Sequence, residues 1–506
     1  MTRQITPSRS SAAIWVIAFI AALLLAVPGR TITTAYVNDV LIFLDGANRI
    51  AFGQVPNRDF HTALGPLVYY LPALGLWLTG RMGGALPVGM AVLILVLAPV
   101  FVHVLGSRLR PMLALPFGAF LLLILALPAN LGDPLSSVSF AMYYNRIGWA
   151  ALALLAVLYL RPQAPDQPHW WQDASCAAVL VLVALYTKIT YAPTAFALLL
   201  LFALDPRQRR WAGAALGLVG CGMLLAELVW RGSFAHVQDL IDTAKVSGQR
   251  DLQLLVRAVL NNFTDLVLAL VLAALALYRS RSLLDLCFYG LCIASGILII
   301  SQNAHGWGII TLFAAAVVAA ETHLRYAPAA WSWSGAPLLF WLMVLPPMVK
   351  HAIGLVLYAC MALSNFGTPL NLPNFTDVRF GRLWSPGDNG FTEKYIGTFP
   401  KGASLLAQFD NPARVLVLDF SNPFSAGMGL QPPRGDISWM HWGRNISAAH
   451  HPAPSELFDD VAIVMIPQIG INSRQLEELY GPFVAGNYQL ISATEGWKVY
   501  VSRNGQ

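Results

Sequence analysis

Over roughly its first 360 residues the chain alternates long apolar runs with short basic or polar joints. A bilayer's hydrocarbon layer, roughly 30 Å thick, takes about 20 apolar residues to cross as a helix. Runs near that length fall at about 12–29, 86–106, 111–130, 146–161, 174–190, 191–204, 211–230, 263–279, 285–301, 306–322 and 336–360. They mix Ala, Leu and Val without period-two alternation, so they read as helices rather than barrel strands, each satisfying its own backbone groups away from water. The expected fold is a polytopic α-helical membrane protein with about eleven transmembrane helices. The first run follows Arg3 and Arg9 and ends in small residues, as a secretory signal does, but its length and the runs behind it predict a retained helix.

From about Asn365 the pattern changes, with Pro, Asn, Asp and Gly frequent and apolar runs short. RVLVLDF (414–420) and VAIVMIP (461–467) read as buried strands and QLEELYGPF (475–483) as a helix. YQLISATEGWKVYVS (488–502) reads as a hairpin turning near Glu495 and Gly496. A small α/β soluble C-terminal domain (365–506) is thus expected behind a transmembrane domain (1–364), with no internal repeat.

Composition agrees: 57% of residues are hydrophobic and 11% charged. With Arg3 and Arg9 in the cytoplasm, the basic joints alternate as the positive-inside rule requires: Arg108 and Arg110, Arg161, Arg207 with Arg209 and Arg210, Arg279 with Arg281, and Arg325. The alternation holds only if Gly65 to Gly80 does not cross, which predicts an interfacial or re-entrant helix there. Segments 30–85, 131–145, 231–262, 302–305 and everything after about 361 then lie outside. The expected location is a bacterial cytoplasmic (inner) membrane, N-terminus cytoplasmic and C-terminal domain periplasmic. The net charge of +6 belongs to cytoplasmic anchors and does not point to nucleic acid. All five cysteines lie in predicted spans, so neither a disulfide framework nor a zinc spacing is present.

Candidate chemistry concentrates in the first outer segment, Thr33 to Leu74, which carries Asp39, Asp45, Arg49, Arg58, Asp59 and His61. Residues 36–52 have helical spacing, which puts Asp39 and Asp45 on different faces and argues against a catalytic pair. A lone interfacial Asp is more often a solvated or capping residue. Three further polar groups share the outer side: Tyr143-Tyr144-Asn145-Arg146, the run from Gln302 through His305 to Trp307, and Lys188. Polar clusters on one side of a bilayer can build one cavity. A lysine at mid-membrane without a partner costs about 3 kcal/mol, so Lys188 either snorkels or has a partner. In the tail, Trp439-Met440-His441-Trp442-Gly443-Arg444 joins aromatic faces to polar groups, as sugar binding requires, although structural aromatics are the commoner reading.

Asp39, followed after fourteen residues by Gly53-Gln54-Val55-Pro56-Asn57-Arg58-Asp59-Phe60 and then Gly65-Pro66-Leu67-Val68-Tyr69-Tyr70-Leu71, resembles the GT-C superfamily of membrane glycosyltransferases, the group of dolichyl-phosphate mannosyltransferase-like and aminoarabinose-transferase-like enzymes. Val40 stands where many relatives have a second acid, and Asn57 where they have Tyr. The resemblance implies an inverting hexosyl or pentosyl transfer from a polyprenyl-phosphate sugar to a lipid, glycan or protein acceptor. Asp39 would be the base. Arg58, Arg146, Lys188 and His305 are candidates to balance the leaving phosphate, Asp59 to orient Arg58, and Tyr144, Asn145 and Gln302 to bind substrate. No cofactor is fixed; a divalent metal fits the family, and Val40 weighs against it. A lipid-linked sugar flippase would place its site near the midplane in related halves, and a polysaccharide polymerase or ligase shares the donor but does not usually need a soluble tail.

Overall fold

The computed structural model of the chain describes residues 9–163, 170–247, 252–302, 306–326, 335–384 and 389–503. Six of the eleven expected spans form helices long and apolar enough to cross a membrane: Met82–Arg108, Trp170–Thr187, Arg209–Trp230, Phe263–Ser280, Leu283–Ile300 and Gly335–Leu363. Of the other five, Arg9–Ala26 has 18 residues and Ala192–Leu204 has 13. Pro111–Ala126, Tyr143–Val157 and Ile310–Tyr326 have 16, 15 and 17 residues, about 22–26 Å at 1.5 Å per residue. The last two are sheathed by neighbouring helices over nearly their whole length, so protein rather than lipid surrounds them.

The stretch expected not to cross forms the 13-residue helix Leu67–Thr79, about 20 Å long and equal in length to Ala192–Leu204, where a span was expected. It folds back onto Met82–Arg108 through glycine. A Cβ at Gly75 would lie 2.0 Å from the Ala85 carbonyl oxygen, and one at Gly89 2.3 Å from that of Leu71. Close backbone approach through small residues is how membrane helices pack.

At the Arg108 end of that helix, basic residues are tied to acids. Arg108 reaches Asp173 at 2.6 Å, Arg325 reaches Glu321 at 3.1 Å, and Arg161 reaches Asp205 at 3.0 Å. At its other end Gly83 packs against Asp377 of the tail.

The tail is woven into the first segment after the N-terminal helix. Strand β1 (Thr31–Thr33) pairs in parallel with β3 (Val378–Phe380), and β3 pairs antiparallel with β2 (Thr368–Pro369). A second sheet has the order β4 (Val415–Val417), β5 (Ile463–Pro467), β7 (Trp497–Ser502), β6 (Tyr488–Ala493), with only β4 and β5 parallel. Side chains alternate across its faces. Val415, Val417, Ile463, Met465, Trp497 and Val499 join the apolar cluster that runs on into the membrane helices. Leu416, Leu418, Val464 and Ile466 instead pack with Leu476, Tyr480 and Val484 of the helix Ser473–Asn487.

The helix Val37–Ala51 takes the tail's strongest polar contact. Arg49, 1% exposed, donates from Nε to Asp45 at 2.6 Å and from both Nη atoms to the two Asp436 oxygens at 2.7 Å each. Gln54 adds bonds to the Pro432 and Pro433 carbonyls at 3.1 and 3.0 Å, and Asn48 one to Leu430 at 3.1 Å. Removing the guanidinium strands two carboxylates out of water, which costs about 3–5 kcal/mol. Arg49→Ala is therefore expected to lower the melting temperature and to free the tail for limited proteolysis; a variant that melts like wild type with a protease-resistant tail would refute this account.

Candidate active site

Asp39 sits in the first turn of Val37–Ala51, where the helix dipole favours a negative charge. Tyr36, immediately before this helix, has φ 55° and ψ 44°, and Met142 before the helix Tyr143–Val157 has φ 51° and ψ 25°. Left-handed backbone at a non-glycine residue costs about 1–3 kcal/mol and persists only where the surroundings impose it. The two strained turns launch the two helices that carry Asp39 and Tyr144.

These helices meet at Phe43, one turn below Asp39 on the same face. Its ring lies edge-on to Tyr143 at 4.9 Å and to Tyr144 at 6.1 Å between centroids. Lys188, in the break between Trp170–Thr187 and the next helical turn, places Nζ 5.2 Å from the centre of the Tyr144 ring and donates to Asn145 Oδ1 at 3.2 Å. Tyr191 donates to the same oxygen at 3.1 Å. Asp39, Tyr144 and Lys188 all keep part of their surface accessible, although protein crowds each of them closely. Recessed yet reachable groups mark the floor of a cleft.

The tail forms the other wall. Ser421 donates to Asn38 at 2.7 Å, beside Asp39, and Met440 N bonds the Phe420 carbonyl at 3.2 Å. The Phe420 and His441 ring centres are 4.9 Å apart, with Trp439 6.1 Å from Phe420. Past a turn at Gly443 (φ 76°), the exposed Arg444 acts electrostatically on Asp39, Tyr144, Lys188 and His441. Burial pushes the Asp39 carboxyl up to about 7, with Arg444 pulling the other way. Burial, and then Arg444, push the His441 imidazole down to about 4, so it is neutral at neutral pH.

Of the residues expected at a site, the structure thus brings together Asp39, Tyr144, Asn145 and Lys188. Arg146 turns elsewhere, over the Phe140 ring at 5.8 Å and bonded to the Leu127 carbonyl. Arg58 is an exposed partner of Asp59 at 3.3 Å, and Asp59 also accepts from Val55 N at 2.7 Å. Gln302 is exposed beyond the helix Leu283–Ile300, and residues 306–308 that follow pack on Asn262 and Leu131. His305 lies outside the described residues. Arg444, His441 and Tyr191 are the additions that sequence did not assign to the site.

The motif around Asp39 proves to be mostly joinery. Gln54 holds the tail. Asn57 is fully buried in the left-handed region at φ 65°, which Asn tolerates better than Tyr, and donates to the Thr62 carbonyl at 2.7 Å and to Asp239 at 3.0 Å. Gly65 N bonds the Thr187 carbonyl at 3.1 Å, which anchors the turn that presents Lys188. The residues beside Asp39 offer a divalent metal no second acid: Val40 is buried at 0% exposure where one would stand, and the charged group that acts on Asp39 is the Arg444 guanidinium.

No family model matches the chain, and no curated protein matches it. Among solved structures it is similar to ArnT from Cupriavidus metallidurans in the apo state, at 14% identity over 97% of this chain and 98% of that one with a TM-score of 0.49. The same protein bound to undecaprenyl phosphate gives 13%, 96%, 97% and 0.48. Arabinofuranosyltransferase AftD from Mycobacteria gives 13%, 98% of this chain, 40% of that one and 0.41.

A Cβ on Gly65 would lie 2.1 Å from the Tyr186 carbonyl oxygen, a backbone atom that no rotamer change can move. Gly65→Ala is expected to destabilise by about 1–3 kcal/mol and to displace Lys188; thermal unfolding checks the first, and loss of protection of Lys188 from amine-reactive labelling the second.

Proposed function

We propose that the chain is a membrane glycosyltransferase that moves a sugar from a polyprenyl-phosphate donor to an acceptor by an inverting reaction, with Asp39 as base. The observation that carries this reading is a convergence: the recessed Asp39 carboxyl and the Lys188 amine both flank Tyr144, and the Arg444 guanidinium acts on all three. The sequence motif supports it.

The acceptor hydroxyl gives its proton to Asp39 as its oxygen attacks the anomeric carbon. The bond from that carbon to the phosphate oxygen breaks, and the polyprenyl phosphate leaves with one more negative charge. Lys188 and Arg444 are the basic groups on hand to balance that charge, Lys188 doing so when protonated. Arg444 offers a planar fork and Lys188 a point charge, and they replace Arg58 and Arg146 in this role because those two are engaged elsewhere. Tyr144 and Asn145 hold Lys188 in position. A carboxyl poised near pH 7 is suited to take up a proton and release it again.

The site end is read as extracytoplasmic, with the tail periplasmic on an inner membrane, because the arginine-rich end lies at the far end of Met82–Arg108. A donor held by its lipid would reach the cleft from within the bilayer.

Two outcomes follow. Asp39→Asn is expected to lower release of polyprenyl phosphate from a radiolabelled polyprenyl-phosphate sugar by about 10²–10⁴-fold. A carboxyl raised by burial costs stability once ionised, so at pH 8 this variant should melt no lower than wild type; full activity in it would sink the assignment. In the wild type kcat/KM should rise with pH through about 7 as Asp39 ionises. Arg444→Gln removes the charge that favours the carboxylate, so its limb should move to higher pH; an unmoved limb would separate Arg444 from Asp39.

A further inference from the structure

A cavity of about 390 Å³ opens where three distant parts of the chain meet. One wall is His61–Ala63, the second comes from Asp239, Asp242, Thr243 and Lys245, and the third from the tail between Gly435 and Glu456. Its size falls in the range of about 300–1,000 Å³ usual for small-molecule sites.

The lining is polar and already ordered. Asp239 accepts from His61 Nδ1 at 2.7 Å, from Thr62 N at 3.0 Å and from Asn57 at 3.0 Å. Asp242 accepts from Lys245 at 2.7 Å and Gln238 at 3.1 Å. Carboxylates, imidazoles, an amide, a hydroxyl and an ammonium together offer donors and acceptors side by side, as sugar hydroxyls, which both donate and accept, require. Ile437 and Pro452 add apolar patches for the C–H face of a ring. Three carboxylates (Asp239, Asp242, Glu456) face one lysine and three imidazoles (His61, His450, His451), so even with His61 charged by its bond to Asp239 the lining keeps a negative balance and disfavours an anion.

The cavity also shares a wall with the Asp39 cleft. Asn445 lines it and fixes the strip that roofs the cleft, accepting from His441 N at 2.7 Å and donating to the Trp439 carbonyl at 2.8 Å. One segment, 437–445, therefore has one side in the cavity and carries Arg444 beside Asp39.

We propose that this cavity is the acceptor site and takes the polyhydroxylated, non-anionic end of a glycan. The proposal rests on the glycosyltransferase reading above, and two measurements separate them. Thr243→Trp and Ala449→Trp fill the cavity from opposite walls without touching the Asp39 cleft. With the full-length protein in nanodiscs, saturation-transfer NMR is run with maltose, with the dimer of glucosamine and with digalacturonate; in parallel, hydrolysis of a polyprenyl-phosphate sugar is followed without acceptor. The expected result is saturation of maltose and diglucosamine by the wild type, at least tenfold weaker transfer to digalacturonate, and at least tenfold loss of the first two in both variants with donor hydrolysis unchanged. No sugar signal from the wild type, equal signals in the variants, or preference for digalacturonate would overturn the proposal. Intact, cavity-dependent sugar binding with no turnover of any donor would instead remove the enzymatic reading, and with it the acceptor role.

Discussion

Two carboxylates from opposite ends of the chain meet one guanidinium where water is excluded. Arg49 holds Asp45 on its own helix and grips Asp436 of the tail with both Nη atoms. Such a pair adds little net stability compared with apolar packing, but breaking it is costly, so its effect is to allow one relative placement of helix and tail. The cleft depends on that placement. Asp39 rides on the same helix as Arg49, and the Trp439–Arg444 strip follows directly on Asp436 in the chain.

The cleft's electrostatics follow from this arrangement. A carboxyl recessed among aromatic rings would stay protonated near neutrality if burial acted alone; the nearby guanidinium moderates that pressure. Lys188 is kept in place by the Tyr144 face and the Asn145 amide. The floor comes from the membrane part and the moderating charge from the tail, so neither half has the cleft's electrostatics by itself.

Much of the helical scaffold was legible because apolar runs and basic joints are imprinted directly by a bilayer. The charge alternation singled out the 67–79 stretch as non-spanning; its helix has 13 residues, but so has Ala192–Leu204, so length alone does not set it apart. Helical period separated Asp39 from Asp45, which lies 1% exposed against Arg49. Strands at Val415–Val417 and Ile463–Pro467 fall on the predicted apolar stretches. Direction was not legible. Arg146 lies two residues past Tyr144, about 200° round the same helix, and so leaves the cleft. Arg58 pairs with Asp59 as expected, but it lies exposed and apart from Asp39's neighbours. Arg444 was noticed only as the end of an aromatic and polar strip in the tail, because nothing local in that loop says which helix it will face.

The pairing of Thr31–Thr33 with Val378–Phe380 joins strands 347 residues apart. The segment that leads into the Asp39 helix therefore has no strand partner while the helices are being synthesised and inserted one after another. Its partner arrives only after the helix Gly335–Leu363 has been made, and the Arg49 contact later still. A growing chain would thus enter the bilayer with this segment unpaired, and any molecule truncated before residue 436 would carry Asp39 without the contact that holds the tail against its helix. The relative placement of the Asp39 helix and the tail is therefore fixed only once the chain has grown 387 residues past Arg49.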